Sequence, residues 1–171
     1  DGNSWHNVGM GTDGPVYALM SSTNGLYIGG DFTHSDTLTI NRIARWNGIA
    51  MDTVGLGVNN TVYAIEKSIN GVVYIGGSFT QSDTFAINKI AELVNGVWWS
   101  PLGGGLVGDV NALLTVQLNL YATENYSLGK GLSTNRIMRW NNVTWDVVGD
   151  GLNGAGRTLT QYACWHWEKM Y

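Results

Sequence analysis

The side chains able to do chemistry are scattered along this chain rather than gathered at any recognisable spacing. His6, His34 and His166 stand in unrelated contexts, and none has a partner at metal-ligand distance in sequence. Each reads as a surface or turn residue. Asp31, Asp36 and Asp83 fall in loops behind glycine pairs, where clustered oxygens can hold calcium. The EF-hand spacing is missing, however, and the second copy of this segment has Ser78 where the first has Asp31. These loops therefore read as segments that hydrogen-bond to themselves. No nucleophile elbow, phosphate loop or dinucleotide fingerprint occurs, and Gly103-Gly104-Gly105 only enriches a motif found elsewhere in the chain. The single Cys164 excludes an intrachain disulfide framework and a cysteine-based zinc site. No catalytic, cofactor-binding or metal-ligating residue is expected.

Aromatic and amide side chains offer binding rather than catalysis. Trp5, Trp99 and Trp145 share one position of an internal repeat, and Trp46 and Trp140 share another. Side chains locked to a repeat register usually pack between units, so these five are assigned to the core with Phe32 and Phe79. Trp98, Trp165 and Trp167 fall outside that register and are candidates for an exposed contact, with a sugar or with another subunit. Asn59, Asn125 and Asn142 each begin an Asn-x-Ser/Thr triplet and are candidate glycosylation sites.

The elements that must carry these residues follow from composition and repetition. Of 171 residues, 44% are hydrophobic, which argues against disorder, and only 13% are charged. Glycine is frequent at 24 residues, Trp and Tyr number 8 each, and proline only 2, a mixture that favours short strands joined by tight turns. A net charge of −4 with nine Lys plus Arg lacks the basic stripe of a nucleic-acid binder. No apolar run approaches the length of a membrane helix.

Val8-Gly9-Met10-Gly11 recurs as Val54-Gly55-Leu56-Gly57, Leu102-Gly103-Gly104-Gly105 and Val148-Gly149-Asp150-Gly151. Val16-Tyr17-Ala18-Leu19 recurs at Val62 and Val110, and Asn41-Arg42-Ile43-Ala44-Arg45-Trp46-Asn47 recurs from Asn88 and Asn135. All offsets are 46, 47 or 48. Each unit reads as four strands: one over 14–21, one through Leu26-Tyr27-Ile28 into a glycine pair, one over 42–46, and one through the tryptophan position into Val-Gly-x-Gly. Asn24-Gly25 and Asn70-Gly71 mark hairpin turns, and the paired glycines mark a bulge or a close backbone approach. The expected organisation is a single repeat domain over 1–171. A leading strand occupies 1–13, the repeats 14–59, 60–107 and 108–153, and a divergent tail 154–171.

Four strands per unit of this length predict β-propeller blades. The segments VYAL, LYIGGDFT, NRIARWNG and W-x-x-VG-x-G resemble the delta-60-type propeller repeats of bacterial surface proteins, and are similar to fungal cortical polarity-marker ectodomains. The resemblance is close over 5–96, weaker over 97–151 and lost beyond Gly154. It implies an extracellular, non-catalytic, repetitive architecture with no active site to transfer. In the third unit Thr123-Glu124-Asn125-Tyr126-Ser127 replaces the GGDFT segment, which predicts a different bend or a different neighbour there.

Three blades do not close a propeller in the usual way. The alternatives are a piece of a longer propeller, a threefold closed fold such as a β-trefoil or β-prism, an open array whose strand edges pair with other copies, or a tail that forms a degenerate fourth blade. The expected function is that of a non-catalytic structural or adhesive repeat protein, extracellular or at the cell surface, a subunit or segment of a surface array or fibre that assembles with copies of itself through its strand edges. A carbohydrate-binding module using the unregistered aromatics is the alternative. No cofactor, nucleic acid or membrane insertion is expected.

Overall fold

A computed structural model describes residues 2–125, 128–129, 132–133 and 136–161. Among them every regular element is a strand. The first unit comprises β1 (Val16–Ser22), β2 (Gly25–Gly30), the two-residue strands β3 (His34–Ser35) and β4 (Leu38–Thr39), β5 (Ile43–Trp46) and β6 (Met51–Thr53). The second comprises β7 (Val62–Lys67), β8 (Val73–Gly77), β9 (Gln81–Ser82), β10 (Phe85–Ala86), β11 (Ile90–Val94) and β12 (Trp98–Pro101). The third comprises β13 (Val110–Val116), β14 (Asn119–Glu124), β15 (Leu128–Gly129), β16 (Leu132–Ser133), β17 (Ile137–Trp140) and β18 (Trp145–Val147). Each unit folds as one four-stranded antiparallel sheet, with orders β1-β2-β5-β6, β7-β8-β11-β12 and β13-β14-β17-β18. The short strands form a separate hairpin between the second and third strands of each sheet.

That added hairpin is absent from the four-strand sequence reading. Its signal lies in Ser35-Asp36-Thr37 and Ser82-Asp83-Thr84, where the aspartates take φ of +54° and +50° at the tip. Aspartate tolerates this left-handed conformation better than most residues, which is why it stands at both tips.

The first strands of successive sheets lie side by side, β1 against β7 and β7 against β13. Two apolar clusters seal the junctions. Tyr27 and Ile43 of the first unit meet Val62, Ile65, Ile75 and Trp99 of the second, and Ala64, Tyr74 and Ile90 meet Val110, Leu113 and Trp140 of the third. The glycine pairs make this approach possible. A β-carbon on Gly29 would fall 2.7 Å from Val62 Cγ1, and one on Gly76 would overlap Val110. Gly30 and Gly77 serve the strand pairing itself, since a β-carbon on either would strike the carbonyl oxygen of Pro15 or Thr61.

The third unit keeps its register although both glycines are gone. Glu124 pairs with Val110 as Gly30 pairs with Val16, so the strand does not bend away. What changes is the neighbour. Thr123, at the place of Gly29 and Gly76, meets the tail rather than a further sheet among the described residues: its Oγ1 donates to the carbonyl of Gly156 at 2.9 Å. Arg136 Nη1 donates to the carbonyl of Asn153 at 3.0 Å and fixes the start of the same segment.

Two expectations need correction. No strand precedes Val16 among the described residues; the segment expected to form a leading strand contains a turn closed by Gly11 N–H on the Val8 carbonyl at 3.1 Å and is tied to the first unit by Asp13 N–H on the His34 carbonyl at 3.1 Å. The equivalent strands β6, β12 and β18 each pair with the third strand of their own unit, a pairing that residues 2–13 do not make among the described residues. Trp5 is 100% exposed rather than part of the core. The other registered aromatics divide by depth: Trp99, Trp140, Phe32 and Phe79 are buried, and Trp46 and Trp145 are half-buried.

Candidate functional site

All three first strands break register at the same place. The pairing skips between Val16 and Ala18, between Val62 and Ala64, and between Val110 and Ala112, leaving Tyr17, Tyr63 and Asn111 as the extra residues of three β-bulges. A bulge re-aims the side chain of its extra residue. Here the three meet in one groove of about 500 Å³, completed by Asn125, Ala155 and Arg157. Tyr17 and Tyr63 stand edge to face with ring centroids 5.7 Å apart.

The polar groups of this groove are only partly spent on the fold. Asn125 accepts the Asp109 N–H at 2.8 Å and donates Nδ2 to Asp109 Oδ2 at 3.2 Å, while Asp109 also holds Lys89 Nζ at 2.8 Å. The hydroxyls of Tyr17 and Tyr63 and the amide of Asn111 have no hydrogen bond to any described residue. The exposed Arg157 has no partner among the described residues either, and in this it is alone among the described Lys and Arg residues. Arg45 and Arg139 hold Asp52 and Asp146 at 2.9 Å across equivalent strand pairs. Arg42 holds Asp31 at 3.2 Å, and Lys67 Nζ donates to Ser22 at 2.8 Å. The sequence signal for the groove was the repeated Val-Tyr-Ala, Val-Tyr-Ala and Val-Asn-Ala opposite the second glycine. Nothing in the repeat foretold Arg157.

The other candidates are dispersed. Trp98 is 45% exposed and packs on the exposed Phe85 at a centroid distance of 6.5 Å, well outside the bulge groove's lining. Trp165 and Trp167, with His166 and Cys164, lie outside the described residues. Asn59 lies at a turn, where its Oδ1 accepts the Thr80 and Gln81 N–H groups at 2.9 and 3.1 Å and its Nδ2 donates to Thr80 Oγ1 at 3.1 Å. Asn142 donates Nδ2 to the Leu118 carbonyl at 2.9 Å. All three candidate acceptor amides are thus engaged within the fold.

Of the calcium-type candidates, Asp36 and Asp83 stand at the tips of the short hairpins with φ of +54° and +50°. Asp31 is paired with Arg42, and no group of three His, Cys, Asp or Glu side chains among the described residues is placed to share an ion. His34 instead joins Asp13, whose carboxylate accepts the N–H groups of Thr33 and His34 at 2.7 and 2.9 Å and the Thr33 hydroxyl at 2.7 Å. These bonds, the hydroxyl first, hold the Asp13 carboxyl far below the usual range. Comparison with family models, with curated proteins and with solved structures yields no match to this chain.

Proposed function

We propose that this chain is a non-catalytic structural or adhesive module, three successive propeller-type blades that associate with a second copy of the chain through the open face of the first. The observation that carries this reading is a difference in exposure between equivalent residues. Val62 and Ile65, at 0% and 8% exposed, and Val110 and Leu113, at 0% and 7%, are sealed by the preceding sheet. Val16 and Leu19, their counterparts, stand at 43% and 63%. The surface shaped to receive a neighbouring blade is therefore apolar and bare in the first one, the condition under which soluble proteins associate.

We place the contact on this sheet face, where the bare apolar side chains stand. The outer edge strands β6, β12 and β18 are only three or four residues long and offer little to a further strand. An extracellular or cell-surface setting belongs to the same proposal, supported by the low charge and the resemblance of the repeat. Light scattering across a concentration series tests it. Mass above the monomer that Leu19→Asp abolishes is the expected result, and a wild-type chain monomeric throughout sinks the reading. A second reading, a carbohydrate-binding module, is favoured by the exposed Trp98–Phe85 pair, and loss of glycan-array binding in Trp98→Ala is its test.

A further inference from the structure

We infer that the groove formed by the three bulges is a binding site for an acidic saccharide, a sugar chain that carries carboxylates. This does not rest on association through the open face, and it places the ligand elsewhere than Trp98. Three features converge on that chemistry. The edge-to-face Tyr17–Tyr63 pair leaves ring surface accessible, with Tyr17 an exposed side chain, and such surface receives the apolar face of a sugar ring. The two tyrosine hydroxyls and the Asn111 amide are unspent donors and acceptors of the kind that bind sugar hydroxyls. Arg157 then supplies a cation whose planar fork matches a carboxylate and which no described carboxylate neutralises.

The groove also has the build of a site rather than an accident of packing. Three of its six lining residues, Tyr17, Tyr63 and Asn111, are fixed by β-bulges at one register in three sheets, so the backbone beneath them is set by pairing with the second strand of each sheet. Its volume of about 500 Å³ lies in the range of small-ligand sites. An acidic peptide would satisfy Arg157 equally, but it would make no use of a paired aromatic floor beside a free amide. The saccharide uses all of them.

Isothermal titration with a short oligogalacturonate, its methyl ester and an oligoaspartate tests the assignment on the full chain. Saturable binding of the oligogalacturonate is expected. It should weaken at least about tenfold for the uncharged ester and for Arg157→Gln, Tyr17→Ala and Asn111→Asp, the last placing a like charge against the carboxylate. Trp98→Ala should bind as the wild type does. Tyr17 and Arg157 are exposed, and thermal melts matching the wild type would confirm that these variants fold. Absence of saturable binding, equally tight binding of the ester or of oligoaspartate, or undiminished binding by Arg157→Gln and Tyr17→Ala together would overturn the assignment.

Discussion

Val62 Cγ1 lies 2.7 Å from the point that a β-carbon on Gly29 would occupy, with Ile65 Cδ1 at 3.0 Å beside it. The first two sheets therefore touch through a side chain on one and bare backbone on the other. Gly29→Ala would gain a few tenths of a kcal/mol from reduced freedom of the unfolded chain. It would lose more by overpacking a junction whose members are fully buried, about 1–3 kcal/mol. A fall in the urea midpoint is expected for Gly29→Ala, and not for Gly154→Ala, where the nearest atom is 4.0 Å away. Adding Val62→Ala to Gly29→Ala should cost less than the sum of the two single changes, because the methyl group then enters vacated space.

The indole groups latch each unit to the turn of the unit before it. Trp99 Nε1 donates to the Val54 carbonyl at 3.2 Å, and Trp145 Nε1 donates to the Leu102 carbonyl at 3.1 Å. Trp99→Phe keeps an aromatic ring but leaves the Val54 carbonyl only the Gly57 N–H at 3.3 Å, at a cost of about 0.5–1.5 kcal/mol. Trp5→Ala, at a fully exposed position, should stay within about 0.5 kcal/mol of wild type. Equal losses in the two variants, measured by denaturant unfolding, would refute the latch.

Asp13 and Asn59 occupy equivalent places and cap equivalent loops, one with a carboxylate and one with an amide. The folded state holds the Asp13 carboxyl below its unfolded value of about 3.9, chiefly through the Thr33 hydroxyl. Its contribution is thus present above about pH 4 and lost as pH falls towards the lower folded value. Asp52 and Asp146 are lowered in the same direction by Arg45 and Arg139, so part of the acid sensitivity lies with them. Asp13→Asn should keep the cap, as Asn59 does, and flatten the decline of melting temperature below about pH 4 without abolishing it. An unchanged pH profile would show that the capping bonds do not distinguish the folded carboxylate.

Much of the fold was legible because repetition turns single weak signals into aligned ones. The glycine pairs, Phe32 and Phe79, and the Val-Gly-x-Gly turns each recur, and their spacing brought out the four-stranded sheets. Register also misled, for it assigned Trp5 to the core, whereas burial follows strand pairing and Trp5 stands in no strand of the structure. The paired glycines signalled a bulge or a close approach, but not that the extra residue stands on the facing strand, as Tyr17, Tyr63 and Asn111. A bulge is a property of two paired strands, and one strand's sequence shows only half of it. The tail was illegible for a plainer reason: once the repeat ends, nothing in the residue pattern says what 153–157 will touch.

That tail offers the sharpest local test. At the junction of the third sheet the knob and the gap are exchanged, since Thr123 supplies the side chain and a β-carbon on Gly156 would fall 2.7 Å from its Cγ2. The Thr123 hydroxyl bond to the Gly156 carbonyl is the polar part of the contact. Thr123→Val keeps the shape and removes that bond, worth about 1 kcal/mol, which corresponds to roughly fivefold more frequent opening of the segment. The sheets behind it lose nothing, so the main unfolding transition should hold its midpoint. Cleavage by trypsin after the exposed Arg157 reports the local opening, because its rate follows the open population when reclosing is fast. Faster cleavage at Arg157 with an unchanged midpoint is the expected pair of results. A cleavage rate equal to wild type would mean that the hydroxyl does not hold the tail, and that the Arg136 bond to Asn153 carries it alone.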